Sequence, residues 1–471
     1  MNKKNKKSNQ KASAKNERME KIISLAKRRG FIFPSSEIYG GLNSCYDYGP
    51  LGVELKNNIK KAWWREMVQL RKDVVGLDSA ILMHPKIWEA SGHLAGFHDF
   101  LVDCKECRKR FRADHLLQAK NIEPEFRQLD SEIKKNKIKC PECGGDLTDA
   151  REFNLMFKTF MGAVEDETAK IYLRPETAQG IYVNFLNVIN STSKKLPFGI
   201  AQIGKAFRNE ITPGNFVFRM REFEQMEMQF FINPNKSDKW FKYWQGERWD
   251  WYLRMGLKKE NLNLRPHAQD ELAHYAKAAV DIEYNFPFAD SELEGIHNRG
   301  DFDLTQHEKY SKYEQKTIED GKDKVTPFII ETSGGVDRSF LAFLLDAYEE
   351  VDPRSGDDKS KHDKEIVLRL HQDLSPIKVT VLPLSKKPDL EKLATKIFDE
   401  LKVYYMCAYD VTGGIGKRYR RQDEIGTPYC LTVDFESLKD NQVTIRDRDT
   451  MKQDRVPVSD LRGYFLNKYG Y

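Results

Sequence analysis

Residues 198–231, FGIAQIGKAFRNEITPGNFVFRMREFEQMEMQFF, constrain this chain more than any other stretch. Two alternating runs flank Thr212-Pro213-Gly214-Asn215, whose proline and glycine mark a turn, so the pattern predicts two antiparallel strands. Side chains along a strand alternate faces. On the first strand Ile203 and Phe207 share one face, and Gln202, Arg208 and Glu210 the other. On the second, Arg219, Arg221, Phe223, Gln225 and Glu227 share a face opposite Met226, Met228 and Phe230. The polar face thus gathers carboxylates, guanidinium forks suited to phosphate oxygens, and a ring on which a flat base can stack. The same periodicity fits a plain hairpin with one wet face. Gly204-x-Ala206 beside Arg208 argues for a ligand, because small residues leave room on the charged side.

Phe207-Arg208-x-Glu210 followed by Arg219-x-x-x-Phe223 resembles motif 2 of the class II aminoacyl-tRNA synthetases. The wording FRNEITPGNFVFRMREFEQME is similar to that of the dimeric glycyl-tRNA synthetase family. Two more stretches support the resemblance. Gly49-Pro50-Leu51-Gly52 breaks the chain before a helix predicted over 53–71, with Ile59, Trp63, Met67 and Leu70 at helical spacing. By itself this is a helix packed on its own core. The run VELKNNIKKAWWREMV…ILMHPKIWEASGH resembles motif 1, and that resemblance implies a homodimer. Further on, a strand Phe328–Glu331 leads through Thr332-Ser333-Gly334-Gly335-Val336 into a helix over about 337–350, apolar nearly all round and so expected to be buried. Arg338 in its first turn, beside the glycines and the helix N-terminus, makes an anion site. This segment resembles motif 3.

With 471 residues, two or three domains are expected. No apolar run approaches the roughly 20 residues of a membrane span, and no membrane partner is expected. Residues 1–19 read as a basic disordered tail without an apolar leader. Seven cysteines, four of them in Cys-x-x-Cys pairs, point to metal binding in a reducing cytoplasm rather than to disulfides. Cys104-x-x-Cys107 and Cys140-x-x-Cys143-Gly-Gly, in a segment spanning 103–149, predict a structural four-thiolate Zn²⁺ site, against the alternative of four unliganded thiols. Residues 233–290 read as a mainly helical insertion whose Trp and Tyr residues serve packing. His297 and His307 read as surface or satisfied histidines.

A charged segment with Gly, Pro and Ser over 349–365 is the best domain boundary. Beyond it, strands near 378–384, 403–410 and 428–434 alternate with helices near 389–401 and 415–425, the pattern of an α/β domain. Lys417, Arg418, Arg420 and Arg421, interleaved with Tyr419, fit RNA backbone contact or a solvated basic face.

The resemblance covers nearly all of the chain beyond the tail and implies an α+β fold. A class II antiparallel sheet flanked by helices would occupy 20–355, carry the zinc-ribbon-like insert, and precede an anticodon-binding domain over 365–471. It implies ATP-dependent activation of glycine and transfer to tRNA(Gly), with Mg²⁺ held by Glu292. Carried over residue by residue, Arg112, Glu176, Phe223, Glu224, Gln225, Met226, Glu227, Glu331, Ser333 and Gly335 would meet glycine. Arg208, Asn209, Glu210, Phe218, Arg219, Arg221, Phe223, Glu292, Leu293, Gly335, Asp337 and Arg338 would meet ATP. Another class IIa synthetase or a non-catalytic RNA-binding paralogue are the rival readings.

Overall fold

The computed structural model describes residues 17–120, 122, 128–211, 214–273, 275–318, 324–354 and 364–470. The tail over 1–16, the turn residues Thr212 and Pro213, and 355–363 of the charged segment lie outside the described residues. Residues 17–28 are helical, so the tail reading fails at its last three positions.

A seven-stranded sheet organises the larger part of the chain. Its strands are β1 (Val74–Gly76), β2 (Phe198–Phe207), β3 (Glu222–Ile232), β4 (Leu262–Pro266), β5 (Ala278–Asn285), β6 (Asp290–Gly300) and β7 (Phe328–Gly335). The order is β4-β5-β6-β7-β3-β2-β1, antiparallel except for β1 beside β2. The expected hairpin is β2–β3, paired from Glu222 with Phe207 to Phe231 with Phe198. The second strand starts at Glu222, after a short helical turn at Phe216–Phe218, so Arg219 and Arg221 lie ahead of it.

Helices α1 (Pro50–Trp64), α2 (Ser237–Arg254) and α3 (Val336–Ala347) cover one face of the sheet. Met226, Met228, Phe230, Ile296 and Ile330 meet Leu55, Ile59, Trp63, Trp244, Trp251 and Phe340 there. Within this core the fully buried Arg248 guanidinium grips Glu294 through Nε at 2.6 Å and Nη2 at 3.1 Å. Each charge satisfies the other, as burial requires. The other face carries a smaller apolar cluster, with Ile181, Tyr182 and Phe185 packed on Phe198, Phe231 and Ile329. The rest of that face stays open.

The expectation of a helical 233–290 holds only for α2. Leu262–Pro266 and Ala278–Asn285 are strands that extend the sheet at one edge. Their alternation was masked by the aromatic residues just before them. The charged boundary is also more ordered at its ends than expected: Tyr348–Val351 pairs antiparallel with Glu365–Leu368.

The C-terminal part has its own core. Strands β8 (Val379–Pro383), β9 (Cys407–Tyr409), β10 (Tyr429–Val433), β11 (Gln442–Asp447) and β12 (Gln453–Pro457) lie in the order β9-β8-β10-β11-β12. The first three are parallel, and Pro388–Leu401 (α4) and Ile415–Ile425 (α5) connect them. Val381, Leu431 and Ile445 pack here against Ile397 and Phe465.

Candidate functional site

A cavity of about 210 Å³ opens on the uncovered part of the main sheet. Strand register decides what reaches it. Gln225 lies opposite Gly335, Glu227 opposite Ser333, and Ser333 opposite Gly295; Glu331 lies opposite His297. On β6 the register with β5 slips at Leu293, so Glu292 lines the cavity while Leu293 drops into the core. Leu293, expected beside ATP, therefore packs away from it.

At the closed end three carboxylates converge, Glu176, Glu227 and Glu331. Glu331 accepts from Gln229 Nε2 at 2.8 Å and Arg299 Nη1 at 3.1 Å through one oxygen, and its other oxygen is 3.0 Å from His297 Nδ1. Burial pushes its acidity down, but Arg299 and His297 outweigh burial and hold the pKa below the ordinary carboxylate value. Glu176 accepts from Gln179 Nε2 at 2.9 Å and faces His93 Nε2 at 3.4 Å. For Glu176, too, burial acts upward and the charge and hydrogen bond of His93 prevail, leaving the pKa low. Glu227 goes the other way. Burial, then repulsion from Glu331 and Glu176, raises its pKa well above the usual value, although Thr177 donates to it. The three acids are thus pushed apart, Glu176 and Glu331 downward and Glu227 upward.

At the open end sit Arg208, Arg219 and Arg338 with Glu210, Phe218 and Phe223. Arg208 lies between the Phe97 and Phe223 rings, 5.4 and 5.3 Å from their centroids, and donates to Pro175 O at 3.1 Å. Arg338 covers Phe218 at 4.4 Å and pairs with Glu292 Oε2 at 2.9 Å. Desolvation at the cavity wall acts upward on Glu292, although its side chain is 46% exposed, and the charge and hydrogen bond of Arg338 prevail, holding its pKa below the ordinary carboxylate value.

Several expected residues point elsewhere. Glu224 and Met226 alternate with the cavity-facing residues of β3 and lie on its other face. Glu224 pairs with Lys56 and Lys60 of α1 at 3.0 and 3.1 Å, and Met226 is in the core. Arg221, just ahead of the strand, donates to Asn43 O at 2.9 Å instead of entering the cavity. Asn209 is not part of the cavity lining, and its backbone N–H donates to Leu155 O at 2.7 Å. Asp337 does border the cavity, but it is 2% exposed and its carboxylate is taken up by Tyr48, Lys56 and the Glu224 backbone N–H. Arg112 sits in the insert, paired with Asp99 at 3.0 Å and Asp114 at 2.6 Å, with Glu210 as an electrostatic neighbour. The room expected above Gly204 is filled: a Cβ there would lie 2.3 Å from Arg174 Nη2. That guanidinium donates to Lys205 O at 2.7 Å and Ser79 O at 2.8 Å, so the glycine admits a structural arginine.

The sequence reading missed His93, His297, Arg299 and Tyr275. Arg299 is held by Asp303 at 2.8 and 3.0 Å, with the Tyr275 ring 3.8 Å away. The His-x-Arg spacing on a strand was the available signal, obscured by the slip at Leu293. His307 is satisfied as expected, 2.9 Å from Gln179 Oε1, whereas His297 lines the cavity.

In the insert the sulfurs of Cys104, Cys107, Cys140 and Cys143 lie within 4.8 Å of one another. Cys104–Cys143 and Cys107–Cys140 are 3.5 and 3.6 Å apart. Four thiolates about 2.3 Å from one Zn²⁺ would be separated by about 3.8 Å, so the donor set fits that ion. The Glu106, Lys109 and Gly145 amides face these sulfurs.

The basic run on α5 divides. Arg418 is 2% exposed, its guanidinium donating to Pro383 O at 2.6 Å, Asp410 O at 3.1 Å and Leu384 O at 3.1 Å. Tyr419 also turns inward, 2.6 Å from Thr432 Oγ1. Arg420 pairs with Glu365 at 3.4 Å and Arg421 with Asp410. Lys417 is exposed. Arg418 is thus structural, because three carbonyls at the ends of β8 and β9 need a buried donor.

Family models match a part of each of these two units. The model of the tRNA synthetase class II core domain (G, H, P, S and T) matches residues 159–348, and that of the anticodon binding domain matches 378–468. The glycine–tRNA ligase of Treponema denticola is 56% identical over 94% of this chain and 95% of its own length. Those of Ruminiclostridium cellulolyticum and Geobacillus kaustophilus are 55% and 54% identical, each over 96% of this chain and 99% of its own. Among solved structures, prolyl-tRNA synthetase from Cryptosporidium parvum, complexed with halofuginone and AMPPNP, is similar in fold. Its TM-score is 0.62 at 13% identity, covering 95% of this chain and 74% of that one.

Arg418→Ala, which strands those carbonyls, is expected to cost about 2–4 kcal/mol of stability, against less than about 0.5 kcal/mol for Lys417→Ala. Chemical denaturation of the full chain measures both; equal effects would contradict the buried role of Arg418.

Proposed function

The chain belongs to the glycine–tRNA ligases of the class II aminoacyl-tRNA synthetase family, and from that premise we propose how its cavity divides the work. The reaction joins glycine to ATP as glycyl-adenylate with release of diphosphate, then passes glycine to the 3′ end of tRNA(Gly). In the first step the glycine carboxylate oxygen bonds the α-phosphorus while the bond to the β-phosphate oxygen breaks. No protein nucleophile is needed, so positioning and electrostatic stabilisation supply the rate.

The observation that carries the assignment is the cavity lining, which brings the acids Glu176, Glu227 and Glu331 together with the arginines Arg208, Arg219 and Arg338. Glu176, Glu227, Glu331 and Ser333 hold the glycine ammonium in a space too small for larger side chains. Arg208 holds the reacting carboxylate and α-phosphate, and Arg219 and Arg338 the distal phosphates. Phe223 and Phe218 offer rings to adenine, with Glu210 and Gly335 alongside. Arg112 is the insert's contribution, brought in if its pairs with Asp99 and Asp114 rearrange. Glu292, a partly exposed carboxylate in the cavity, is the kind of donor Mg²⁺ takes beside phosphate oxygens. Mg²⁺ held there would neutralise phosphate charge. Zn²⁺ on the four cysteines would fix the insert. Lys417, with Arg420 and Arg421 once freed from their acids, would meet tRNA phosphates.

Exposed Leu70 and Leu82, in the motif 1 run, support the homodimer that the family implies. Among the described residues no helix is long and apolar enough to cross a membrane. The free thiols suit a cytoplasmic location.

Two measurements follow. Metal analysis should find one zinc per chain, and a chelator should loosen the insert to proteolysis; far less than one zinc would overturn that site. Arg208→Ala should lower glycine-dependent ATP–diphosphate exchange by at least about a hundredfold while leaving the fold intact. Retained exchange would remove Arg208 from its role.

A further inference from the structure

His297 stands in an unusual position for a residue outside the expected constellation. It projects from β6 into the cavity directly opposite Glu331, with Nδ1 3.0 Å from Oε1. The ring folds back over Gly295, where a Cβ would lie 2.6 Å from its Cε1, so any larger residue at 295 would drive the imidazole off the acid. The other Glu331 oxygen is committed to Arg299 and Gln229. Oε1 is therefore the oxygen left to receive a ligand cation, and His297 already faces it.

We propose that His297 is a positioning residue that competes with the glycine ammonium for Glu331 Oε1, so that capture of glycine expels a proton from the imidazole. The inference rests on the reading of Glu331 as an ammonium ligand. The groups facing His297 are Glu331 from β7, Arg299 and Glu292 from its own strand, and Asp281 from β5. His267, ahead of β5, has its ring 6.4 Å away and its Nε2 2.8 Å from Asp281 Oδ2. Burial lowers the His297 pKa, but the close approach and charge of Glu331 outweigh burial and Arg299, leaving it above the ordinary 6.5. A second cation at Glu331 removes that support and brings the value down. Glycine affinity then strengthens as pH rises through the pKa of the empty enzyme, and levels off above it.

The test is calorimetric titration of the full-length protein with glycine from pH 6 to 8, in buffers of differing ionisation enthalpy. Wild type should release a proton on binding below the pKa, with a Kd falling by about tenfold per pH unit at the steepest part. His297→Gln, which keeps a donor without the charge, should release fewer protons than wild type and show a shallower slope, Glu227 with its raised pKa supplying any release that remains; ATP affinity should show no such slope in either protein. Proton release and slope in His297→Gln equal to those of wild type, or no release in wild type, would overturn the proposal. Glu331→Gln tests the underlying reading separately: weakened glycine binding there upholds the ammonium pocket whatever His297 does, and undiminished binding removes it.

Discussion

Three carboxylates, Glu176, Glu227 and Glu331, converge at one end of the cavity, and the catalytic unit is shaped by what that arrangement requires. Ionised groups taken out of water are tolerated only when paired or hydrogen-bonded. Glu331 is served by Arg299, Gln229 and His297, and Glu176 by His93 and Gln179, while burial and the neighbouring acids push the Glu227 pKa well above the usual value. These partners come from β6, β3, the segment after α1 and the helix following Pro175. Arg299 is in turn fixed by Asp303 and Tyr275. The site is therefore preorganised by a network reaching well behind its walls, in a setting where fixed charge acts more strongly than in water.

The mouth is built on the opposite principle. Arg208 and Arg338 are steered by aromatic faces and by carbonyls rather than locked into buried pairs. Arg208 keeps its charge for an anionic ligand, and Arg338 shares its own only with the partly exposed Glu292. A zwitterion with its ammonium inward and its carboxylate outward fits this gradient, and a triphosphate completes it at the open end. The opposite face of the same strands is occupied by α1 and α3, whose Lys56 and Asp337 tie β3 to both helices. Each strand residue thus serves either the chemistry or the scaffold.

Much of this was legible in the residue order. Period-two alternation located the β2–β3 hairpin and its polar face, and the glycine-rich approach to α3 located the turn beside Arg338. The C-terminal alternation gave strands and helices to within a few residues, because those elements are amphipathic and bounded by Gly or Pro. What was not legible depended on contacts distant in sequence. Glu224 looks like its neighbour Glu227 until α1 supplies Lys56 and Lys60. Arg418 looks like its exposed neighbour Lys417 until three carbonyls gather around it. His297 and Arg299 were hidden by a one-residue slip that reassigns faces along β6, and β4 and β5 by a run of aromatics that suggested helix alone.

The central claim is that the closed end of the cavity reads a positive charge and not merely small size. Glycolate provides the most direct test, since it matches glycine in shape and carboxylate but carries a hydroxyl in place of the ammonium. Measured by ATP–diphosphate exchange, glycolate should support less than about one-hundredth of the glycine rate, given the loss of a charge-assisted contact to buried acids. Exchange comparable to that with glycine would contradict the account.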